Sequence, residues 1–208
     1  AMAFAFVRCD FGEEDDATEA VEDVAETPKD TGGNEPTGDC EVGQGAGYAY
    51  VMIEDSPDNP TLVDCNTNPG ADIDSICIYR GEESQGCAAE VAYTPVDPVP
   101  CDENHKDDPE QVLGAPDGIA GPDDYEGYFA LNGGWIIVGF DAGLEILCGD
   151  VIEVIEMHNA EDPDATVEQY RTSMGEGTDC LGEGNDCRWS LESDWAVGHD
   201  EIDVTWVW

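Results

Sequence analysis

The stretch GYFALNGGWIIVGFD, residues 127–141, contains two short apolar runs on either side of a turn formed by Asn132, Gly133 and Gly134. Each run, GYFALN and GWIIVGFD, has the length of a β-strand and falls short of a helix. Asn and Gly tolerate the backbone conformations that tight turns require. The stretch therefore predicts two consecutive strands joined by a turn.

The same pattern extends in both directions, and no long helical pattern intervenes. Further short apolar or alternating runs, separated by Gly, Pro, Asn and Asp, are YAYVMIE, IDSICIYR, CAAEVAYTPV, LEILCGDVIEVIEM, ATVEQYRTSM, CRWSLES and EIDVTWVW. Many short strands with turn residues between them are typical of an all-β sandwich or barrel. We predict a single jelly-roll-like β-sandwich domain over residues 48–208, with Trp206 and Trp208 of the last run directed into its core.

Residues 1–9, AMAFAFVRC, form a separate apolar segment at the start of the chain. Large side chains alternate there with small ones, which predicts a strand with one bulky face. A strand at this position needs a sheet to join. The residues expected to make that contact are Met2, Phe4, Phe6 and Val7.

Residues 10–47 are acidic and poor in large apolar side chains, which favours a solvated linker. A detached strand, a long linker and a sandwich are the components of donor-strand assembly, in which one subunit completes the sheet of the next. Such head-to-tail contacts generate filaments. The alternative is that the strand folds back onto its own domain as an edge strand.

Several segments together resemble a family of bacterial cell-surface β-sandwich domains, common in myxobacteria-like secreted proteins. They are Tyr50–Asp55, Pro69–Ile76, the YTP at 93–95, Asp108–Gly118 and Gly127–Glu156. The resemblance implies a jelly roll of the galactose-binding or discoidin-like kind. The extra cysteines depart from the family pattern, and the leading strand and acidic linker lie outside it.

The charge of the chain restricts its partners. Fifty Asp and Glu against six Lys and Arg give a formal net charge of −44 over 208 residues. Nucleic acid and anionic lipid surfaces both require clustered basic residues, so the composition excludes them as partners. It favours cations and a saline, halophilic or marine setting. No apolar run approaches the ~20 residues of a membrane helix, so membrane insertion is not expected.

Nine cysteines without a CxxC pair point to disulfides and therefore to an oxidising, extracellular or cell-surface location. Cys180 and Cys187 are predicted to pair across a Gly-rich loop. Four further cysteines lie close enough in sequence to join neighbouring strands, namely Cys65, Cys77, Cys87 and Cys101, and their pairing stays open. For Cys9 three alternatives stay open, namely a bond to another molecule, pairing with Cys40, or a lipid anchor.

Acidic residues concentrate in turns, where carboxylates and backbone carbonyls together suit calcium. The predicted ligands are Glu54, Asp55, Asp72, Asp74, Asp108 and Asp117. The alternative for each loop is a solvated turn without metal, since none has the ordered spacing of an EF-hand.

Trp189 and Trp195 flank a polar loop and form a candidate glycan platform, with core packing as the alternative. His105, His158 and His199 are scattered, and no catalytic serine or zinc-protease motif is present. We therefore expect a non-enzymatic extracellular protein. The leading hypothesis is a filament subunit that binds other copies of itself, and the alternative is a calcium-dependent carbohydrate-binding adhesion module.

Overall fold

A computed structural model describes residues 38–63, 69–95, 108–117, 119–120, 125–157, 168–182, 187–191 and 193–207. Over these residues the protein is all-β, as predicted, with two short 3₁₀ helices at Pro60–Val63 and Pro109–Val112. The strands are β1 (Gly38–Asp39), β2 (Tyr50–Asp55), β3 (Asp72–Arg80), β4 (Glu83–Thr94), β5 (Ile119–Ala120), β6 (Tyr125–Glu126), β7 (Phe129–Ala130), β8 (Trp135–Phe140), β9 (Val151–Glu156), β10 (Tyr170–Glu176), β11 (Arg188–Leu191), β12 (Asp200–Asp203) and β13 (Trp206–Val207).

Most of these strands form one antiparallel sheet in the order β11-β10-β2-β8-β4-β3-β9-β12, with β7 beside the start of β3. Two short pairs accompany it, β1 with β13 and β5 with β6. The turn predicted between GYFALN and GWIIVGFD separates β7 from β8, and each of the other apolar runs contains at least one strand.

Strand β4 allows this one sheet to act as two facing layers. Its first half, up to Cys87, pairs with β3, and its second half, from Ala88, pairs with β8. The register shifts between Ala88 and Glu90, where the two halves meet. Such a bulge bends a strand, and strands that pass from one layer to the other do so at bulges. The result is a curled, sandwich-like sheet.

The inward faces of both layers share one core. The alternation of VIEVIE in β9 buries Ile152 and Val154, and the pattern YVMIED in β2 buries Val51 and Ile53. The fully buried side chains that meet in this core also come from β3, β7, β8 and β10. Ile202 is buried at the C-terminal end as the alternation predicted, whereas the side chains of Trp206 and Trp208 lie outside the described set.

A second, smaller cluster lies on the outer face of the sheet, with side chains from β2, β8 and β11. It comprises Met52, Trp135, Ile137 and Trp189, and the disulfide between Cys180 and Cys187 packs against it. Gly175 makes room for it, because a Cβ at that position would stand 2.5 Å from the Trp189 ring. The loop that carries the disulfide thus covers the outside of the sheet.

Three disulfides lie within the described residues. Cys180–Cys187 is the local pair predicted from the sequence, and Cys77–Cys87 joins directly opposed residues of β3 and β4. Cys40 is bonded to Cys148, so the suggested pairing of Cys40 with Cys9 is wrong. Three disulfides are compatible with an extracellular protein. No helix in the described part of the chain has the length and apolar character to cross a membrane.

The folded unit begins earlier than the predicted domain boundary. Gly38–Asp39 pairs with β13, Cys40 is cross-linked, and Ala46 lies in the core. The predicted linker over residues 10–47 therefore overlaps the folded unit over residues 38–47. The leading strand with Met2, Phe4, Phe6 and Val7, and also Cys9, Cys65 and Cys101, lie outside the described residues.

Removal of the Cys40–Cys148 bond is expected to destabilise the protein more than removal of Cys180–Cys187. The first closes a loop of 108 residues and the second a loop of only 7. Loop closure accounts for about 4.7 kcal/mol at ~100 residues and for less than about 3 kcal/mol below ~15 residues. Urea unfolding of the two double Cys→Ser variants measures the difference. Equal losses of unfolding free energy would contradict this ranking.

Candidate functional site

Two buried carboxylates mark one end of the sandwich. Asp55 ends β2 and Glu156 ends β9, and each continues an inward-facing row of apolar side chains. The antiparallel pairing sequence β2-β8-β4-β3-β9 places both strand ends at the same end of the sheet. We call this the carboxylate end, defined by Asp55, Asn59 and Glu156.

The Asp55 carboxylate connects several loops at this end. Its Oδ1 accepts hydrogen bonds from the Asn59 side chain and from the backbone N–H of Ala71 at 3.1 Å. Its Oδ2 accepts from the N–H of Gly133 at 2.7 Å. Asn59 in turn exchanges hydrogen bonds with the backbone of Gln169. One side chain therefore ties the loops before β3, β8 and β10 to the end of β2.

Gly70 is required beside this carboxylate for two reasons. Its φ of +82° lies in the left-handed region that other residues avoid. A Cβ at this position would also collide with Asp55 Oδ2 and stand 2.7 Å from the backbone nitrogen of Asn132. The sequence PGAD before β3 thus allows the close approach on which the hydrogen bond from Ala71 depends.

Glu156 fixes the crossover from β11 to β12. Its Oε2 accepts from the N–H of Gly198 at 2.7 Å, and the hydroxyl of the buried Tyr170 donates to the carbonyl of the same glycine. Gly198 is therefore held on both sides from within the core. The residues flanking it, Val197 and His199, are exposed.

Both carboxylates hold their protons more tightly than ordinary acids. Burial, opposed by four hydrogen bonds, raises the pKa of Asp55 from 3.8 to about 7. Burial is also the main cause of the raised pKa of Glu156, which moves from 4.5 to about 7, and the charge of Asp55 adds to it. Their exposed fractions are 2% and 7%, and both accept hydrogen bonds from backbone N–H groups, so they fit a structural role.

The six predicted calcium ligands do not converge on one point. Glu54 faces away from Asp55, as alternate residues of a strand do, and forms an ion pair with Arg171. Asp74 lies at the bulge in β3 and accepts from the backbone N–H of Asp117 at 3.3 Å, so these two are brought together.

The other two predicted ligands lie elsewhere. Asp108 caps the 3₁₀ helix Pro109–Val112 by accepting from the N–H of Glu110. Asp72 begins β3, where its carbonyl accepts from the N–H of Met157. Calcium binding by these six residues stays a prediction.

The two candidate glycan tryptophans differ in exposure. Trp189 is 6% exposed and lies in the outer cluster, so of the two alternatives for this residue the structure shows core packing. Trp195 is 39% exposed. Its segment runs beside β10, because Ala196 and Tyr170 exchange backbone hydrogen bonds and Ser193 bonds to Thr172.

The Trp195 ring is held by a cross-strand pair. Arg171 on β10 lies directly opposite Glu54 on β2, and its guanidinium donates to the Glu54 carboxylate. The central carbon of this guanidinium lies 4.9 Å from the centroid of the Trp195 ring, within the range of a cation–π contact. We call Glu54, Arg171 and Trp195 the tryptophan platform.

Sequence reasoning missed Glu156, Asn59 and Arg171. For Glu156 a signal existed, because it follows Ile152 and Val154 at the inward-facing step of the strand. Asn59 and Arg171 gave none, since their partners Gln169 and Glu54 are more than 100 positions away in the chain.

No family model matches this chain, and neither a curated protein nor a solved structure matches it. The resemblance to secreted jelly-roll domains therefore stays a prediction.

The contribution of Asp55 and Glu156 to stability is expected to be lost as the pH rises from about 4 to about 7. The two raised pKa values mean that the folded state binds protons more tightly than the unfolded state. Their contribution is complete below the unfolded values of 3.8 and 4.5, and it is lost as pH rises through about 7. Urea midpoints across this range measure the slope.

Glu156→Gln is expected to reduce this slope, because it removes one of the buried carboxyl groups whose pKa is raised. Exposed Glu90→Gln removes one carboxylate from the surface and is the control for the general charge of the chain. Identical slopes in the two variants would contradict a role for the buried carboxyl.

Proposed function

We propose that this protein is a non-enzymatic extracellular binding module that recognises carbohydrate through the tryptophan platform. The observation that carries the proposal is the exposed Trp195, whose ring packs against the ion-paired Arg171. An exposed aromatic face suits stacking against a pyranose ring. The contact with Arg171 restricts the ring and so lowers the side-chain freedom lost on binding.

The distribution of exposed apolar surface supports this position. Among the described residues, the large apolar side chains that are exposed are Val42, Trp195 and Val197. Two of the three belong to one segment of three residues beside β10. Exposed apolar groups that cluster in this way are typical of interaction sites.

Charge narrows the class of carbohydrate. A chain with net charge −44 repels anionic polymers, so we propose a neutral glycan. Glu54 and Arg171 place an acceptor and a donor beside the indole, and a few polar groups near an apolar face orient a ligand. Calcium is proposed to organise loops of this module, and it is tested separately below.

Trp195→Ala is expected to weaken binding to neutral oligosaccharides by at least about fivefold. Stacking on an aromatic side chain contributes about 1–3 kcal/mol for nucleobases, and a sugar ring stacks on the same kind of face. A glycan array followed by calorimetry on the best ligand measures the loss. Trp195→Phe is expected to retain part of the affinity.

Val42→Ala is the matched control, since it removes an exposed apolar side chain from another part of the surface. Equal affinity of Trp195→Ala and the unaltered protein would refute the platform as the binding site. Repeating the array with a chelator tests the calcium part alone. Unchanged binding there contradicts calcium dependence and leaves the platform standing.

Self-assembly by donor-strand exchange is a second candidate, because β11 and β12 are the outermost strands of the sheet that the structure describes. Within the described residues, β11 pairs only with β10 and β12 pairs only with β9. The edge of a sheet is a template for an added strand. A linker over residues 10–37, fully extended at ~3.3 Å per residue, reaches about 90 Å from Gly38. A strand of residues 1–9 can therefore reach an edge of a neighbouring molecule.

Deletion of residues 1–9 separates assembly from fold-back. Assembly predicts that polymers disappear while the monomer keeps its unfolding free energy. Fold-back predicts a destabilised monomer. Electron microscopy and sedimentation detect the polymers, and urea unfolding measures the monomer. Polymers that persist after the deletion would rule out this second candidate.

A further inference from the structure

Three metal-ligating side chains meet on the outer face of β9 and β12, and neither the platform nor the carboxylate end uses them. Glu153 on β9 and Glu201 on β12 are directly opposed in the register of the two strands. His199 precedes β12 and shares the outward face with Glu201, two positions later. The three side chains therefore come from two adjacent strands of a rigid sheet.

Their ligand atoms already lie close together. Nε2 of His199 is 3.1 Å from Oε1 of Glu153 and 3.8 Å from Oε1 of Glu201. One ligand atom from each residue lies within 4.8 Å of the others. Zinc bonds of about 2.0–2.2 Å in tetrahedral geometry separate ligand atoms by about 3.3 Å. Side-chain movements of about 1 Å bring all three into that geometry.

The charges favour a dication at this point. Like charges directly opposite each other across a strand pair destabilise a sheet, and a proton on His199 offsets only one of the two carboxylates. A divalent ion with a neutral imidazole offsets both. Tyr79 on β3 also forms a hydrogen bond with Glu153, the kind of outer contact that orients a metal-binding carboxylate.

We propose that Glu153, His199 and Glu201 form a binding site for Zn²⁺ or a similar divalent transition metal. The imidazole ligand decides the class of ion, because calcium and magnesium take oxygen ligands whereas zinc, copper and nickel accept imidazole nitrogen. Three protein ligands leave a fourth position for water or for a group of another molecule. The site is independent of the proposed carbohydrate binding.

Zinc titration of the full chain tests the proposal, with excess Ca²⁺ and Mg²⁺ present to occupy the scattered carboxylates. Calorimetry is expected to show one zinc ion per chain that binds more tightly than any other. The Tm is expected to increase with zinc concentration. His199→Gln is expected to lose both the tightly bound zinc ion and the Tm increase. His158→Gln, which changes another histidine, is expected to retain them.

Glu201→Gln provides a second variant, since it alters the site at an exposed position without changing the imidazole. It is expected to weaken zinc binding without lowering the Tm in the absence of metal, because the variant removes one of two opposed like charges. In the unaltered protein, zinc is expected to shift the His199 imidazole resonance. The proposal is overturned if His199→Gln binds zinc as tightly as the unaltered protein, or if zinc shifts no histidine resonance.

Discussion

The buried carboxylate of Asp55 is the constraint on which the arrangement of the loops at the carboxylate end depends. It gathers N–H groups from the loops before β3 and β8, and through Asn59 it reaches the loop before β10. Hydrogen bonds to a buried acceptor are costly to lose, because the acceptor would remain desolvated without a partner. Loops that would otherwise be independent are therefore fixed relative to one another.

Glu156 extends this constraint to the surface. Glu156 and Tyr170 both bond to Gly198, and so they fix the connection through which the chain passes from β11 to β12. Trp195 lies just before this glycine and His199 just after it. The ring proposed for carbohydrate and the imidazole proposed for zinc are thus carried by one short segment whose middle is anchored in the core.

The sequence was sufficient for the class of fold and for most strands, because alternation in runs such as VIEVIE depends only on neighbouring residues. It was also sufficient for Cys180–Cys187, which is local. It was insufficient for Cys40–Cys148, where 108 positions separate the partners, and for the linker boundary, since residues 38–47 are held by contacts with distant segments. The all-β prediction is confirmed, whereas filament formation, calcium and glycan binding stay predictions.

The large number of acidic residues made the buried carboxylates difficult to identify from the sequence. With 50 Asp and Glu in the chain, turn position alone selected Asp108, which caps a short helix, as readily as Asp55. A better criterion is the face of the strand on which an acid lies. An acid whose side chain points inward must find hydrogen-bond donors inside the protein. Asp55 and Glu156 both meet that criterion, and both found backbone N–H groups.

The Cys40–Cys148 bond has a mechanical consequence. Tension applied between the segment ahead of Gly38 and the C-terminal strands would follow the covalent route from Cys40 directly to Cys148. Residues 41–147, which include β2 to β8, would then form a closed loop beside the route and carry no tension along the chain. Pulling would strain the β1–β13 pair and the strands from β9 to β12, while the part of the sandwich within the closed loop kept its shape.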